Sequence, residues 1–241
     1  MDDHELAADA ARRAGELLLE LRARGADGKV GDRQADDLIL PLLRAARPDD
    51  AILSEESKDD PSRLQAARVW IVDPLDGTRE FGEAGRTDWA VHVALTVAGT
   101  PVAAAVGLPA QDLVLSTAHA PVLAPPADGP LRLIVSRTRP PAVATQLAEM
   151  LGAELVPMGS AGAKAMGIVL GTADVYAHSG GQYEWDSAAP VGVATAAGCH
   201  CSRLDGSPLR YNQADPYLPD LLICRPELAS RVLACLQQTG R

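Results

Sequence analysis

The sequence predicts a mixed α/β protein in which helices are layered against sheets. Three observations carry that expectation. Between Asp2 and Arg24, Leu6, Ala10, Ala14, Leu17, Leu18 and Leu21 recur at helical spacing. From Trp89 to Thr117, apolar runs are separated by turn signals at Gly99-Thr100-Pro101 and Pro109-Ala110-Gln111-Asp112, the spacing of an antiparallel meander. From Leu131 onwards, strand-like and helix-like segments alternate, which implies helices packed on a sheet.

Taken in order, Asp2 followed by Glu5 makes a capping box for the first helix, and Gly25 stops it. A second helix is expected from Arg33 to Arg47, with Pro41 kinking it or delaying its start. Ala51–Leu53 and Val69–Val72 read as short buried strands, followed by the meander. The Pro-rich stretch "HAPVLAPPADGP", His119 to Pro130, breaks the pattern and divides the chain into an N-terminal half, residues 1–125, and a C-terminal half, residues 131–241. Beyond it come a strand at Leu131–Val135, a helix at Ala142–Leu151, a strand at Glu154–Pro157, and a helix at Ala161–Leu170 ended by Gly171. A strand at Asp174–Ala177 then precedes a helix at Asp186–Ala197 ended by Gly198. Strands at Cys199–Leu204 and Leu221–Cys224 and a last helix from Pro226 complete the chain.

A chain of 241 residues is long enough to bury a sizeable core, and with a single Phe that core should be aliphatic. The formal net charge of -10 argues against a nucleic-acid polymer as partner; a small anionic substrate stays open if a cation or a few placed donors offset the charge locally. The charged start reads as a helix rather than a signal peptide, and no apolar run approaches the length of a membrane span, so a cytoplasmic location is expected. Cys199 and Cys201 read as one face of a strand, since zinc would want paired C-x-x-C clusters.

The stretch "VWIVDPLDGTREFGE", Val69 to Glu83, ends a buried strand on Asp73 and places Asp76, Gly77 and Thr78 just after it. Pro74 tightens the turn, so that Asp73, Asp76 and the Leu75 carbonyl can converge on a hard cation such as magnesium. A helix starting near Thr78 would favour a phosphate oxygen. On this stretch alone, an ordinary Asp-Pro-x-Asp-Gly turn reads equally well. The spacing is wrong for the D-x-D of aspartyl-phosphate phosphatases, and the terminal Glu of an EF-hand is missing. Further acids stand at Glu55 and Glu56 in "LSEES", at Asp186 in "EWDSAAP" and at Asp32 in "GKVGDRQAD"; with the central motif they make a carboxylate cluster drawn from four segments.

"WIVDPLDGT", with "LSEE" upstream and "WD" followed by small residues downstream, resembles the inositol monophosphatase-like superfamily over nearly the whole chain. That resemblance implies a layered αβαβα sandwich of the inositol monophosphatase/fructose-1,6-bisphosphatase type and a magnesium-dependent, lithium-sensitive phosphatase. The continuation Arg79-Glu80-Phe81, Glu184-Trp185-Asp186 and Val135-Ser136-Arg137 are similar to the CysQ-type 3'(2'),5'-bisphosphate nucleotidases, those of mycobacteria in particular. The first loop departs from the family pattern: "DGKVGD" is shorter than usual, with Asp32 at the aspartate position.

Carried over by position, Glu55, Asp73, the Leu75 carbonyl and Asp76 of the first half, with Asp186 of the second, should hold two magnesium ions, or three. Thr78 and Asp32 should orient or deprotonate the attacking water with help from Glu55. The Gly77 and Thr78 N–H groups should bind the phosphate. Ser136, Arg137 and Lys164 are the candidates for a second phosphate; Lys164 stands in "GSAGAKAMG", where the CysQ pattern has Gly-Ser-x-x-x-Lys. His178 should touch the base, and Glu184 should lie on the substrate side. The expected reaction is hydrolysis of 3'-phosphoadenosine 5'-phosphate (PAP) to AMP in sulfate assimilation. The alternatives are an inositol or fructose-1,6-bisphosphate phosphatase with the same site, and a non-catalytic metal-binding protein. A homodimer is expected, with the aliphatic Val102–Val106 at its interface.

Overall fold

The first two helices form one outer layer. In the computed structural model, which describes residues 1–239, α1 spans Asp3–Ala23. Asp2 accepts from the Glu5 N–H at 2.8 Å and Glu5 accepts from the Asp2 N–H at 3.0 Å, which is the expected capping box. Helix α2 spans Gly28–Ala46, and so begins five residues before the expected Arg33. The physical reason is Asp27, whose side chain accepts from the Val30 N–H at 2.9 Å and caps a helix inside the stretch read as a short loop. Asp32 therefore sits on a helix, and Pro41 is accommodated within it without delaying its start.

Beneath them lies a five-stranded sheet in chain order, β1 (Ala51–Ser54), β2 (Arg68–Asp76), β3 (Ala90–Val97), β4 (Thr100–Leu108) and β5 (Leu113–Ser116). Only β1 and β2 run parallel; the rest is the expected antiparallel meander. Strand β2 does not stop at Val72. It continues to Asp76 with a register shift, so that Asp73 faces His92 but Asp76 faces Ala90. In a regular strand, residues three apart point to opposite faces. The extra residue in this bulge, beside a proline that has no N–H to pair, returns Asp76 to the side of Asp73.

The second sheet has the order β7 (Glu154–Met158), β6 (Arg132–Ser136), β8 (Val175–Tyr183), β10 (Tyr217–Cys224), β9 (His200–Ser202). The remaining helices are α3 (Thr78–Gly82), α4 (Ala142–Leu151), α5 (Ala161–Val169), α6 (Glu184–Ala196) and α7 (Ala229–Thr239).

Alternation along the strands assigns the layers. Trp70, Val72, Val91, Val93 and Leu95 pack on Leu18, Ile39 and Leu43 of α1 and α2. Val69, Ile71, Ala94 and Val106 face the other way, towards Met166 of α5, Val193 of α6, and Tyr176 and Ile223 of the second sheet. Leu133, Val175 and Leu222 pack outward on Leu147 of α4 and Val232 of α7. The result is the αβαβα sandwich. Helix α5, "AGAKAMGIV", is buried on all sides, which suits a helix squeezed between two sheets.

One expectation fails here. Ala103 to Val106 are buried in the chain's own core and only Val102 is exposed, so this strand has no apolar face left for a dimer interface. The four cysteines are unpaired, and burial pushes the thiols of Cys199, Cys201 and Cys224 up to about 11, 12 and 12, which suits inert packing. Among the described residues, no helix is long and apolar enough to cross a membrane.

Candidate active site

Three carboxylates from β2 and α6 converge at the end of the first sheet. Asp73, Asp76 and Asp186 each offer an oxygen, and these oxygens lie within 4.8 Å of one another. Asp73 is buried and accepts from the Leu75 N–H at 3.1 Å. Asp186, in the first turn of α6, accepts from the Tyr183 N–H at 2.7 Å. Asp76 Oδ2 accepts from the Ser160 hydroxyl at 2.5 Å and the Gly162 N–H at 2.7 Å. Each carboxylate thus has one oxygen fixed by the protein and keeps a second for a cation. Oxygen donors of this kind, drawn from three acids, fit a hard divalent metal.

The neighbours of Asp76 were not found from the sequence. His92 is fully buried, with Nε2 at 3.3 Å from Asp76 Oδ2 and Nδ1 donating to the Trp185 carbonyl at 3.0 Å. Ser160 holds φ at +50, a region that non-glycine residues seldom adopt. It stays there because its hydroxyl also caps α5 at the Ala163 N–H, at 3.0 Å. Burial would raise the Asp76 carboxyl, but His92, Lys164 and Ser160 outweigh it and hold Asp76 below the usual carboxylate range. A lone histidine in the apolar run "WAVHVALTV" was the available signal for His92. Its pairing with Asp73 depends on strand register, which that run does not reveal.

Around this centre the acids repel one another. Burial, then Glu55 and Asp76, push Asp73 well up. Burial and then Asp76 raise Asp186 to about 7 and Glu55 to about 7. Glu55 lies at the rim, where Ser54 and Ser57 donate to the buried Asp36 of α2 at 2.5 and 2.8 Å and tie its loop down. Asp32, one turn before Asp36, is only 5% exposed, and its Oδ1 has no hydrogen-bond partner among the described residues. Burial and then Glu55 raise it to about 8.

A stability prediction follows from the sign of these shifts. Unfolded Asp and Glu titrate near pH 4. The raised folded values of Asp32, Glu55 and Asp186 mean that, without metal, these three acids cost nothing below about pH 4 and cost progressively more stability up to about pH 8. The gain in Tm on adding a divalent cation should therefore be larger at about pH 8 than at about pH 5.5. Equal gains by thermal denaturation at both pH values would remove the acid cluster as the binding site.

Gly77, Thr78, Ser136, Arg137 and Lys164 line one pocket of about 250 Å³. Ser160 lines it too, so the pocket opens beside Asp76. Gly77 has φ +88, a left-handed turn from β2 into α3 that favours glycine, and Thr78 is exposed at the first helical position. Lys164 is buried rather than solvated, with Nζ donating to the Ser160 carbonyl at 2.7 Å.

Three substrate-side residues sit differently from expectation. Arg137 is held by Glu80 and Glu83, at 2.8 Å each, so its charge is already met. Both oxygens of Glu184 are taken by the N–H groups of Asn212 and Gln213, at 2.6 and 2.7 Å; it anchors that loop and does not face a substrate. His178 on β8 lies outside the pocket lining, with Nε2 at 2.7 Å from the Gly180 carbonyl, and burial pushes its ring down to about 4.

Comparison with known proteins decides what the cluster belongs to. The model of the inositol monophosphatase family matches residues 4–122 and 128–240. This chain belongs to the inositol monophosphatase family. Among its relatives is a Mycobacterium leprae protein named 3'-phosphoadenosine 5'-phosphate phosphatase, 53% identical over 256 aligned residues that cover 99% of this chain and 94% of the relative. A Mycobacterium tuberculosis protein of the same name is 55% identical, covering 95% of this chain and 91% of its own length. The solved structure of CysQ from Bacteroides thetaiotaomicron, a bacterial member of the family, superposes with a TM-score of 0.81 at 26% identity, over 92% of this chain and 97% of that one. As a member of this metal-dependent family the chain is a phosphatase, and the acid cluster is where its metal would be held.

Proposed function

We propose that this phosphatase hydrolyses PAP to AMP and phosphate with magnesium, in the cytoplasm and in the service of sulfate assimilation. The observation that carries the substrate is the identity shared with the two mycobacterial PAP phosphatases over nearly the whole chain. The geometry supports the chemistry: the acid cluster is joined through Ser160 to a pocket lined by Arg79, Arg137, Arg139 and Lys164, so a phosphate ester has a cationic wall beside an anionic one.

In this reading Asp73, Asp76 and Asp186, with Glu55 and the Leu75 carbonyl, hold two or three magnesium ions. Magnesium there supplies Lewis acidity, offsetting phosphate charge and making water more acidic. The protein does the rest by positioning. The N–H groups of Gly77 and Thr78 hold the phosphate. The Thr78 hydroxyl orients the attacking water, and Asp32 Oδ1, buried and unpartnered, accepts its proton with Glu55 assisting. The new bond forms from water oxygen to phosphorus and the bond from phosphorus to the 3' oxygen breaks. That oxygen takes a proton and leaves as the hydroxyl of AMP, so one water is consumed.

Thr78→Ala should lower kcat about a hundredfold with little change in KM, as steady-state kinetics would show. A change confined to KM would move Thr78 from the water to the substrate. The overall reading is tested by product analysis with magnesium and with chelator. Equimolar AMP and phosphate, formed only with magnesium and suppressed by lithium, is the expected result. Full turnover in chelator, or onward hydrolysis of AMP to adenosine, would contradict it.

A further inference from the structure

Most arginines of this acid-rich chain are engaged by carboxylates, among them Arg47, Arg63, Arg68, Arg132 and Arg203. In the pocket beside the acid cluster, two are not. Arg79 and Arg139 both line that pocket and are exposed, and neither guanidinium has a hydrogen bond or ion pair among the described residues. The other two pocket cations are already committed, Arg137 to Glu80 and Glu83 and Lys164 to the Ser160 carbonyl.

We propose that Arg79 and Arg139 form a cationic mouth that selects substrates carrying a second phosphate. The inference rests on the bisphosphate-nucleotide reading and names the residues that would enforce it. The two come from different elements. Arg79 is the second residue of α3, and Arg139 lies in the loop after β6, folded back by its N–H bonding Ser136 Oγ at 3.3 Å. What holds these elements together is the ion pair one residue after Arg79 and two before Arg139, in which Arg137 bridges Glu80 and Glu83. Arg137 is thus a positioning residue: its own charge is met by the α3 acids, and its fork keeps the β6 loop docked on α3. Glu80 and Glu83 are in turn neutralised in part by Arg137, which leaves the mouth net positive. The scissile phosphate goes to the acid cluster with its metals, and the second phosphate, a dianion, meets two free guanidinium forks suited to bidentate hydrogen bonding. A molecule of net charge -10 would otherwise repel such a ligand.

The test compares PAP with 3'-AMP, which has the same base and scissile phosphate and lacks the second one. Arg79→Gln, Arg139→Gln and the double variant are assayed on both, and at two ionic strengths. The expected result is a fall of about tenfold or more in the PAP to 3'-AMP ratio of kcat/KM in the double variant. With it should go most of the salt dependence of KM for PAP, at unchanged Tm. A ratio unchanged from wild type overturns the inference, whether both substrates suffer equally or neither does. Failure of the parent reading shows separately, in the wild type: if it turns over inositol 1-phosphate better than PAP, the nucleotide assignment is wrong and the mouth falls with it.

Discussion

Asp73→Asn should abolish phosphate release, lowering kcat by about a thousandfold or more, while the protein stays folded. Asp73 lies at the centre of the cluster, on the bulged end of β2, with its oxygen within 4.8 Å of those of Asp76 and Asp186. Asparagine keeps the shape and an oxygen that can still accept from the Leu75 N–H, and removes the charge that a cation needs. The same charge is repelled by Glu55 and Asp76 when no cation is present. The metal-free variant should therefore be as stable as the parent or more so near neutral pH, with a smaller gain in Tm on adding magnesium. Circular dichroism melts beside a phosphate-release assay measure both. A variant within tenfold of the parent kcat would place the metals elsewhere. Asp186→Asn should behave alike.

Gly162→Ala should be nearly as damaging, through packing. A Cβ at residue 162 would fall 2.0 Å from His92 Nε2. His92 cannot swing aside, because it is fully buried and its Nδ1 is bonded to the Trp185 carbonyl at 3.0 Å. Helix α5 must then move, and with it the Gly162 N–H and Ser160 hydroxyl that fix Asp76. Overpacking of this kind costs about 1–3 kcal/mol or more, and the displaced Asp76 should lower kcat about a hundredfold as well. A double-mutant cycle separates the causes: adding His92→Ala should return stability to Gly162→Ala by making room. A single variant with parental Tm and kcat would mean that α5 does not press on His92.

Much of this site was legible because its motif is local. "WIVDPLDGT" carries Asp73 and Asp76, with the proline and glycine, within one turn, and the structure brings both together with Asp186 of the downstream "EWDSAAP". The meander was legible too, since its turn residues punctuate alternating apolar runs. What stayed hidden depends on contacts between distant segments. The bulge that turns Asp76 to the side of Asp73 is a matter of register against β3. His92 reads as a core residue until that register places it between the two acids. Helix α2 starts ahead of its apolar periodicity because the Asp27 side chain caps it at the Val30 N–H. Arg137 looked free and Glu184 looked available only because their partners lie 57 and 28 residues away, at Glu80 and Asn212.

The most direct measurement is magnesium-dependent phosphate release from PAP, inositol 1-phosphate and fructose 1,6-bisphosphate, compared as kcat/KM under one set of conditions. PAP should give the highest value by a clear margin, as the identity shared with the mycobacterial PAP phosphatases leads us to expect; inositol 1-phosphate lacks the second phosphate that the paired cations would hold, and the sugar bisphosphate lacks the nucleoside. A higher kcat/KM for either the inositol or the sugar ester would contradict the nucleotide assignment and leave only the metal chemistry standing.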